Sequence, residues 1–251
     1  MKITKFASMI FVSAMLLVPM QQAQALSILF ESGSSMDVEG RLTGLGHELT
    51  LSDATTWNST FDYSIYDLVV FEYGSQDPAD INHLVNSVSN NDVGVVFFRG
   101  YGVESTIQAL GLASDTLIDW QAPVDLNIID NTHEITSFLD SGVHDLGFSY
   151  MTEVGAPGID TTVLGTGSSG ASLVVHNTLR AAIAPFYGHD SNYDQETADS
   201  IQLTENVLQW AAGDSAATHP VSAPATALLL SLGIIGLMAT RKRNINYVKH
   251  N

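Results

Sequence analysis

A doubly wound α/β domain, with a mostly parallel sheet and helices on both faces, is the fold class this sequence predicts. Short continuous apolar runs, Leu68-Val69-Val70-Phe71 and Val93 to Phe98, read as parallel strands covered on both sides. Between them lies a segment with helical spacing, so strand and helix alternate through the first half of the chain. The segment carrying the pattern, residues 26–213, has the length of one domain and contains no cysteine. Its stability must come from burial alone, which a chain of that size can supply.

The elements follow in order. Ser27-Ile28-Leu29-Phe30 is a short buried-type strand, followed by a Gly/Ser turn and a helix-like stretch from Met36 to Leu45. Glu48 to Leu51 reads as a second strand, and Leu68 to Phe71 as the third. Asp77 is placed as N-cap with Pro78 at the first helical position, opening a helix that buries Ile81, Leu84, Val85 and Val88 on one face. Asn90-Asn91-Asp92 ends that helix ahead of the Val93–Phe98 strand, and Glu104 to Leu110 is a further short helix. His133 stands at a loop-to-helix entry with Thr132 as its cap. The second half is richer in strands: Val124 to Ile129, Leu146 to Phe148, Thr162 to Leu164, Ser172 to Val175 and Arg180 to Ala184. These extend the sheet with hairpin additions. Ser200 to Ala212 closes the domain as an amphipathic helix through Ile201, Leu203, Val207, Leu208 and Trp210.

Both ends of the chain carry address signals. Lys2 and Lys5 precede an apolar stretch, Phe6 to Met20, and Ala23-Gln24-Ala25 is an A-x-A cleavage site, so residues 1–25 read as a signal peptide and the mature chain begins at Leu26. Residues 214–219 form a linker. In 220–243, Pro220-Val221-Ser222-Ala223-Pro224-Ala225-Thr226 leads into an apolar run that ends at Arg241-Lys242-Arg243. The basic cluster keeps residues 244–251 cytoplasmic and everything earlier outside. As a helix, Ala225 to Ala239 is roughly 22 Å long, short against a hydrocarbon core of about 30 Å. Such a span suits transient retention; a plain C-terminal membrane anchor is the other reading. The tail resembles the PEP-CTERM class of exosortase substrates, although Val221-Ser222-Ala223-Pro224 stands where that class carries Val-Pro-Glu-Pro. The resemblance implies an exosortase-like processing enzyme at the inner membrane of a Gram-negative envelope, and an extracellular polysaccharide setting.

Charge narrows the partners. Between Leu26 and His219 the basic residues are Arg41, Arg99 and Arg180, three against 27 acids, a formal −24. Such a surface repels phosphate backbones and anionic lipid and excludes nucleic-acid binding as a function. It fits a solubility device, loose divalent counterions, or an acidic interaction protein with cationic matrix partners.

The order of elements also resembles a known family. Together with Gly46-His47-Glu48-Leu49-Thr50, Tyr66-Asp67-Leu68-Val69-Val70, His133-Glu134-Ile135-Thr136, Phe186-Tyr187-Gly188-His189-Asp190 and Asn206 to Gly213, it is similar to the ThuA-like branch of the class I glutamine-amidotransferase-like superfamily. The resemblance implies a flavodoxin-like strand order. Its enzymes place a cysteine nucleophile on a tight strand-to-helix turn, and the matching turn here is Arg99-Gly100-Tyr101-Gly102. The glycines keep the geometry, but Tyr101, a phenol with a reference pKa of about 10, occupies the nucleophile position. With no cysteine in the chain, thiol-dependent amide transfer is excluded.

Parallel sheets bind ligands at the carboxyl ends of their strands. Here those ends supply Glu31, Glu72, Tyr73, Arg99 and Tyr101, with His189 and Asp190 after a late strand. Acid, aromatic, guanidinium and imidazole groups suit a polyol, with rings stacking on sugar C–H faces. A structural Glu72–Arg99 ion pair is the plainer account. A sugar-active enzyme using His189 with Glu72 or Asp190 as acid/base groups is the alternative to a non-catalytic binding or structural role. Asp190, Asn192, Asp194 and Glu196 alternate like a calcium loop, yet Gln195 and Ile201 fill the positions that loop reserves for Gly and Glu. No histidine spacing indicates a metal, and no cofactor is expected.

Overall fold

The computed structural model describes residues 24–31, 38–53, 55, 57–72, 75–115, 117–187 and 197–213. The leader through Ala23, the linker and the 220–251 tail lie outside the described residues, as do Tyr73, His189 and Asp190. Among the described residues, no helix is long and apolar enough to cross a membrane.

The described strands form one sheet: β1 (Ser27–Glu31), β2 (Glu48–Ser52), β3 (Leu68–Phe71), β4 (Gly94–Phe97), β5 (Leu117–Ile128), β6 (Gly142–Val154), β7 (Thr161–Thr166), β8 (Ala171–His176), β9 (Ala181–Ile183) and β10 (Phe186–Tyr187). Their order is β10-β6-β5-β7-β8-β9-β4-β3-β1-β2. From β2 through β1, β3 and β4 to β9 all pairs are parallel, and the β2-β1-β3-β4 order is the flavodoxin-like one. From β9 through β8, β7, β5 and β6 to β10 every pair is antiparallel. The sheet is therefore mixed, not mostly parallel. The cause is connection length: parallel neighbours need a crossover of a dozen or more residues, usually a helix. Among the described residues between Ala113 and Ala198 there is no helix, so this part of the chain folds back through turns.

Helices α1 (Val38–Gly44), α2 (Ile81–Ser89), α3 (Glu104–Ala109) and α4 (Ala198–Ala212) cover the sheet. Alternation along the parallel strands sends side chains to two separate cores. Ile28, Phe30, Leu68, Val70 and Val96 pack with Leu42 of α1 and Leu203, Val207 and Ala211 of α4. Leu29, Val69, Phe71, Val95 and Phe97 pack with Leu84 and Val88 of α2 and Ile107 of α3. Residues 57–66, to which the sequence assigned no element, seal the second core with rings. Trp57 sits 5.6 Å from Phe71, which stacks on Phe97 at 5.1 Å.

Two local expectations change. The helix expected to open at Asp77-Pro78 begins at Ile81, and its N-cap is Asp80, whose carboxylate accepts from His83 N at 3.1 Å. Asp77 caps a different helix. Val103 precedes α3 without a capping side chain, and Asp77 Oδ1 accepts from Thr106 N at 3.0 Å and from Thr106 Oγ1 at 2.6 Å. Asp77→Ala is expected to cost about 1–2 kcal/mol, the usual loss for a deleted cap, read as a lower urea midpoint with an unchanged slope. The second change is at His133, after which the chain makes turns and no helix. There Asp130 Oδ1 accepts from Thr132 N at 2.8 Å, and the His133 ring meets Trp210 edge-on at 5.9 Å.

The closing helix matches expectation and adds to it. Thr197 and Ser200 form a capping box, and Gly213 ends α4 with φ 93°. Arg180 holds this end in place, donating from Nη1 to Ala212 O and from Nη2 to Asn91 O at 2.7 Å. The middle of α4 is buried on nearly every side, including Thr204, Glu205, Asn206 and Gln209.

Candidate functional site

The carboxyl ends of β1, β3 and β4 stand side by side in the sheet. Register puts Glu31 opposite Phe71 and Phe71 opposite Phe97, so Glu31, Glu72 and Arg99 fall within two residues of one level across three strands. All three are buried, at 3%, 2% and 5% exposure. Ionisable groups so far from water are expensive unless paired or hydrogen-bonded, and each of these three engages a partner.

Ser75 organises this edge. Its hydroxyl donates to Glu31 O at 2.9 Å and accepts from Glu72 N at 3.0 Å, while Ser75 N donates to Glu72 O at 3.2 Å. One buried serine thus fixes the backbone from which both carboxylates project. Sequence reasoning missed it, although a serine in the turn just beyond a buried strand is a common turn former.

The expected strand-to-helix corner is present. β4 ends at Phe97, residues 98–102 turn, and α3 begins at Glu104. Tyr101 sits at the tip with its side chain 58% exposed. The positive φ of the corner falls on Gly102, at 91°, and not on Tyr101. The amides around Tyr101 are already engaged. Gly100 N donates to Thr152 Oγ1 at 2.8 Å, and Gly102 N donates to Glu104 Oε2 at 3.1 Å. An oxyanion hole needs backbone donors aimed at a reacting atom, and these two are committed to side chains of the protein. Thr152, fully buried on β6, is a second residue the sequence reading passed over. Its signal was a polar pair, Thr152-Glu153, inside a long strand.

Structure places Glu31, Glu72, Arg99 and the Gly100–Gly102 corner at one sheet edge. Tyr73, His189 and Asp190 fall outside the described residues, so the His189–Glu72 and His189–Asp190 pairings have no geometry here. Among the described residues no cluster of His, Cys, Asp and Glu is arranged to hold a metal.

Two open grooves, of about 300 and 400 Å³, lie elsewhere, beside the turn that follows β8. His176 lines both. Its Nδ1 accepts from Thr178 N at 3.2 Å and Leu179 N at 3.1 Å, which places the ring proton on Nε2. Burial holds its pKa below the ordinary histidine value, partly opposed by Asp160. This is a histidine spent on a turn. The chemistry of the sheet edge, not groove size, marks the candidate site.

Comparison with known proteins agrees on the fold. No family model and no curated protein matches the sequence. Among solved structures, a ThuA-like protein from Bacteroides uniformis superposes with a TM-score of 0.55 at 14% identity, over 77% of this chain and 94% of its own. A GMP synthase component from Thermoplasma acidophilum gives 0.50 at 12% identity, over 76% of this chain and 96% of its own. At such identities the likeness establishes the fold alone.

Proposed function

We propose that this domain, which has the fold of ThuA-like and class I glutamine-amidotransferase-like proteins, is an exported, non-catalytic member of that superfamily that binds carbohydrate in the cell envelope or extracellular matrix. The observation that carries the reading is the β4–α3 corner. At the turn that the resemblance matches to the nucleophile turn stands Tyr101, in a cysteine-free chain, and the flanking amides are tied to Thr152 and Glu104. What is left at the strand ends is a half-exposed ring beside buried acids and a guanidinium, a set suited to a polyol. The leader at 1–25 and the tail at 220–243 supply the address. In this reading Val221-Ser222-Ala223-Pro224 is cut by an exosortase-like enzyme after transient retention at the inner membrane.

Tyr101→Ala tests the binding role. Because the ring is exposed, the variant is expected to keep its stability within about 0.5 kcal/mol. It should lose binding on a glycan array by about tenfold, the order of one lost stacking contact in a sugar site. An array without polysaccharide hits overturns the reading, and binding confined to cationic polymers replaces it with an acidic interaction protein. Turnover in a glycosidase screen, abolished by His189→Ala, replaces it with an enzyme. For the address, intact-mass measurement of the secreted protein is expected to show loss of everything beyond the Pro220–Thr226 region. A retained C-terminus leaves a plain anchor.

A further inference from the structure

The start of the domain is held by buried polar groups in a way that a mere strand entry does not require. Leu26 N donates to His47 Nδ1 at 3.3 Å, and His47 Nε2 lies 3.3 Å from Glu205 Oε2, both side chains being buried. Since Nδ1 accepts, the imidazole proton is on Nε2; that nitrogen and the nearby Glu205 Oε2 are both buried and make no hydrogen bond among the described residues. One turn further along α4, Gln209 donates from Nε2 to Gln24 O at 2.9 Å. Its Oε1 is buried and has no hydrogen-bond partner among the described residues. Asp67 Oδ2 accepts from Ser27 N at 2.7 Å, and Glu48 N donates to Leu26 O at 2.8 Å. This pocket holds more acceptor capacity than the donors around it use. An orphaned buried acceptor needs an explanation, and a carboxylate behind a neutral imidazole favours a cation.

We infer that His47, Glu205 and Gln209 form a socket for the α-ammonium group created at Leu26 when the leader is removed, so that export processing locks the first strand into the sheet. The inference rests on the cleavage reading given above. Hydrolysis of the Ala25–Leu26 peptide bond consumes one water, leaves the carboxylate on Ala25, and turns the Leu26 amide N–H into an ammonium. That nitrogen already sits against His47. It gains a positive charge and two further donors, while departure of Gln24 frees the Gln209 amide, whose Oε1 already lacks a partner among the described residues, to turn toward one of them. Glu205 compensates the charge through His47. An uncut chain can offer this pocket a single amide N–H.

The test compares two chains, both complete to Asn251 and in the same detergent, one beginning at Leu26 and one keeping Ala23-Gln24-Ala25. Lysine is absent between Leu26 and His219, so amine-reactive labelling followed by peptide mapping reports the Leu26 amine cleanly. The chain beginning at Leu26 is expected to melt about 3 °C higher, a shift of the order one modest interaction gives a domain this size. Its amine should label about tenfold more slowly than in the Glu205→Gln variant, because a nearby carboxylate favours the protonated, unreactive form of the amine. Acetylating the Leu26 amine removes the charge without altering a side chain and should cancel the melting difference, which covers a Glu205→Gln chain that fails to fold. Equal melting and equal labelling overturn the socket. The first residue of the exported protein, read by mass spectrometry, tests the cleavage separately. A terminus other than Leu26 overturns the cleavage reading and the lock with it, whereas a Leu26 terminus without the melting difference overturns the socket alone.

Discussion

Replacing Gly94 with alanine is expected to lower stability by at least about 3 kcal/mol, the upper range for overpacking a core, and to lower Tm by roughly 10 °C. Gly94 is the first residue of β4, the strand between β3 and β9. A methyl group there would overlap the backbone carbonyl of Ala211 on α4 and would press Leu68 Cδ1 at 3.2 Å. Neither side can give way easily. β4 is bonded to strands on both flanks, and the end of α4 is pinned by Arg180 through Ala212 O. The glycine is what lets the closing helix touch the sheet backbone. Gly44→Ala is the control: nothing lies within 4 Å of its added carbon, and alanine suits a helix better than glycine by up to about 1 kcal/mol. Paired thermal melts of the two variants check the argument, and similar melting temperatures would refute it.

Gly102→Ala is expected to disable the candidate site and to destabilise the domain by about 3 kcal/mol, combining a disfavoured backbone with a steric overlap. Its φ of 91° belongs to a region that L side chains rarely adopt. The added methyl would also collide with Ser75 O. Ser75 is the residue that joins Glu31 O to Glu72 N, so displacing it shifts both acidic residues together. Glycan binding, measured well below the lowered Tm, should disappear in this variant. Tyr101→Ala next door should also weaken binding but leave the melt unchanged. Loss of binding and stability in one variant, and of binding alone in its neighbour, is a pattern that general misfolding does not produce.

Much of this fold was legible in local pattern. Buried strands such as Leu68–Phe71 are continuous apolar runs, because both faces of a parallel strand must leave water. Helix α4 announced itself by the spacing of Ile201, Leu203, Val207, Leu208 and Trp210. The corner at Gly100-Tyr101-Gly102 was visible because a tight strand-to-helix turn needs glycine. Partnership was less legible. Asp77 had every local mark of a cap for the helix beside it, yet it caps α3, since a carboxylate serves whichever open N–H groups the fold brings near. Ser75 and Thr152 carry no motif. Their roles exist only once β1, β3, β4 and β6 share a sheet.

Taken alone, the sequence determined the layered α/β plan, the absence of thiol chemistry and the strongly acidic charge. These depend on composition and on periodicity within one segment, and such features survive without knowledge of neighbours. Tertiary structure decided where the sheet turns from parallel to antiparallel, which amides around Tyr101 are already committed, and that His47 and Glu205 meet at Leu26. Those outcomes join residues up to 179 positions apart, as Leu26 and Glu205 are. Pairing at that range follows from how layers pack, and no local pattern records it.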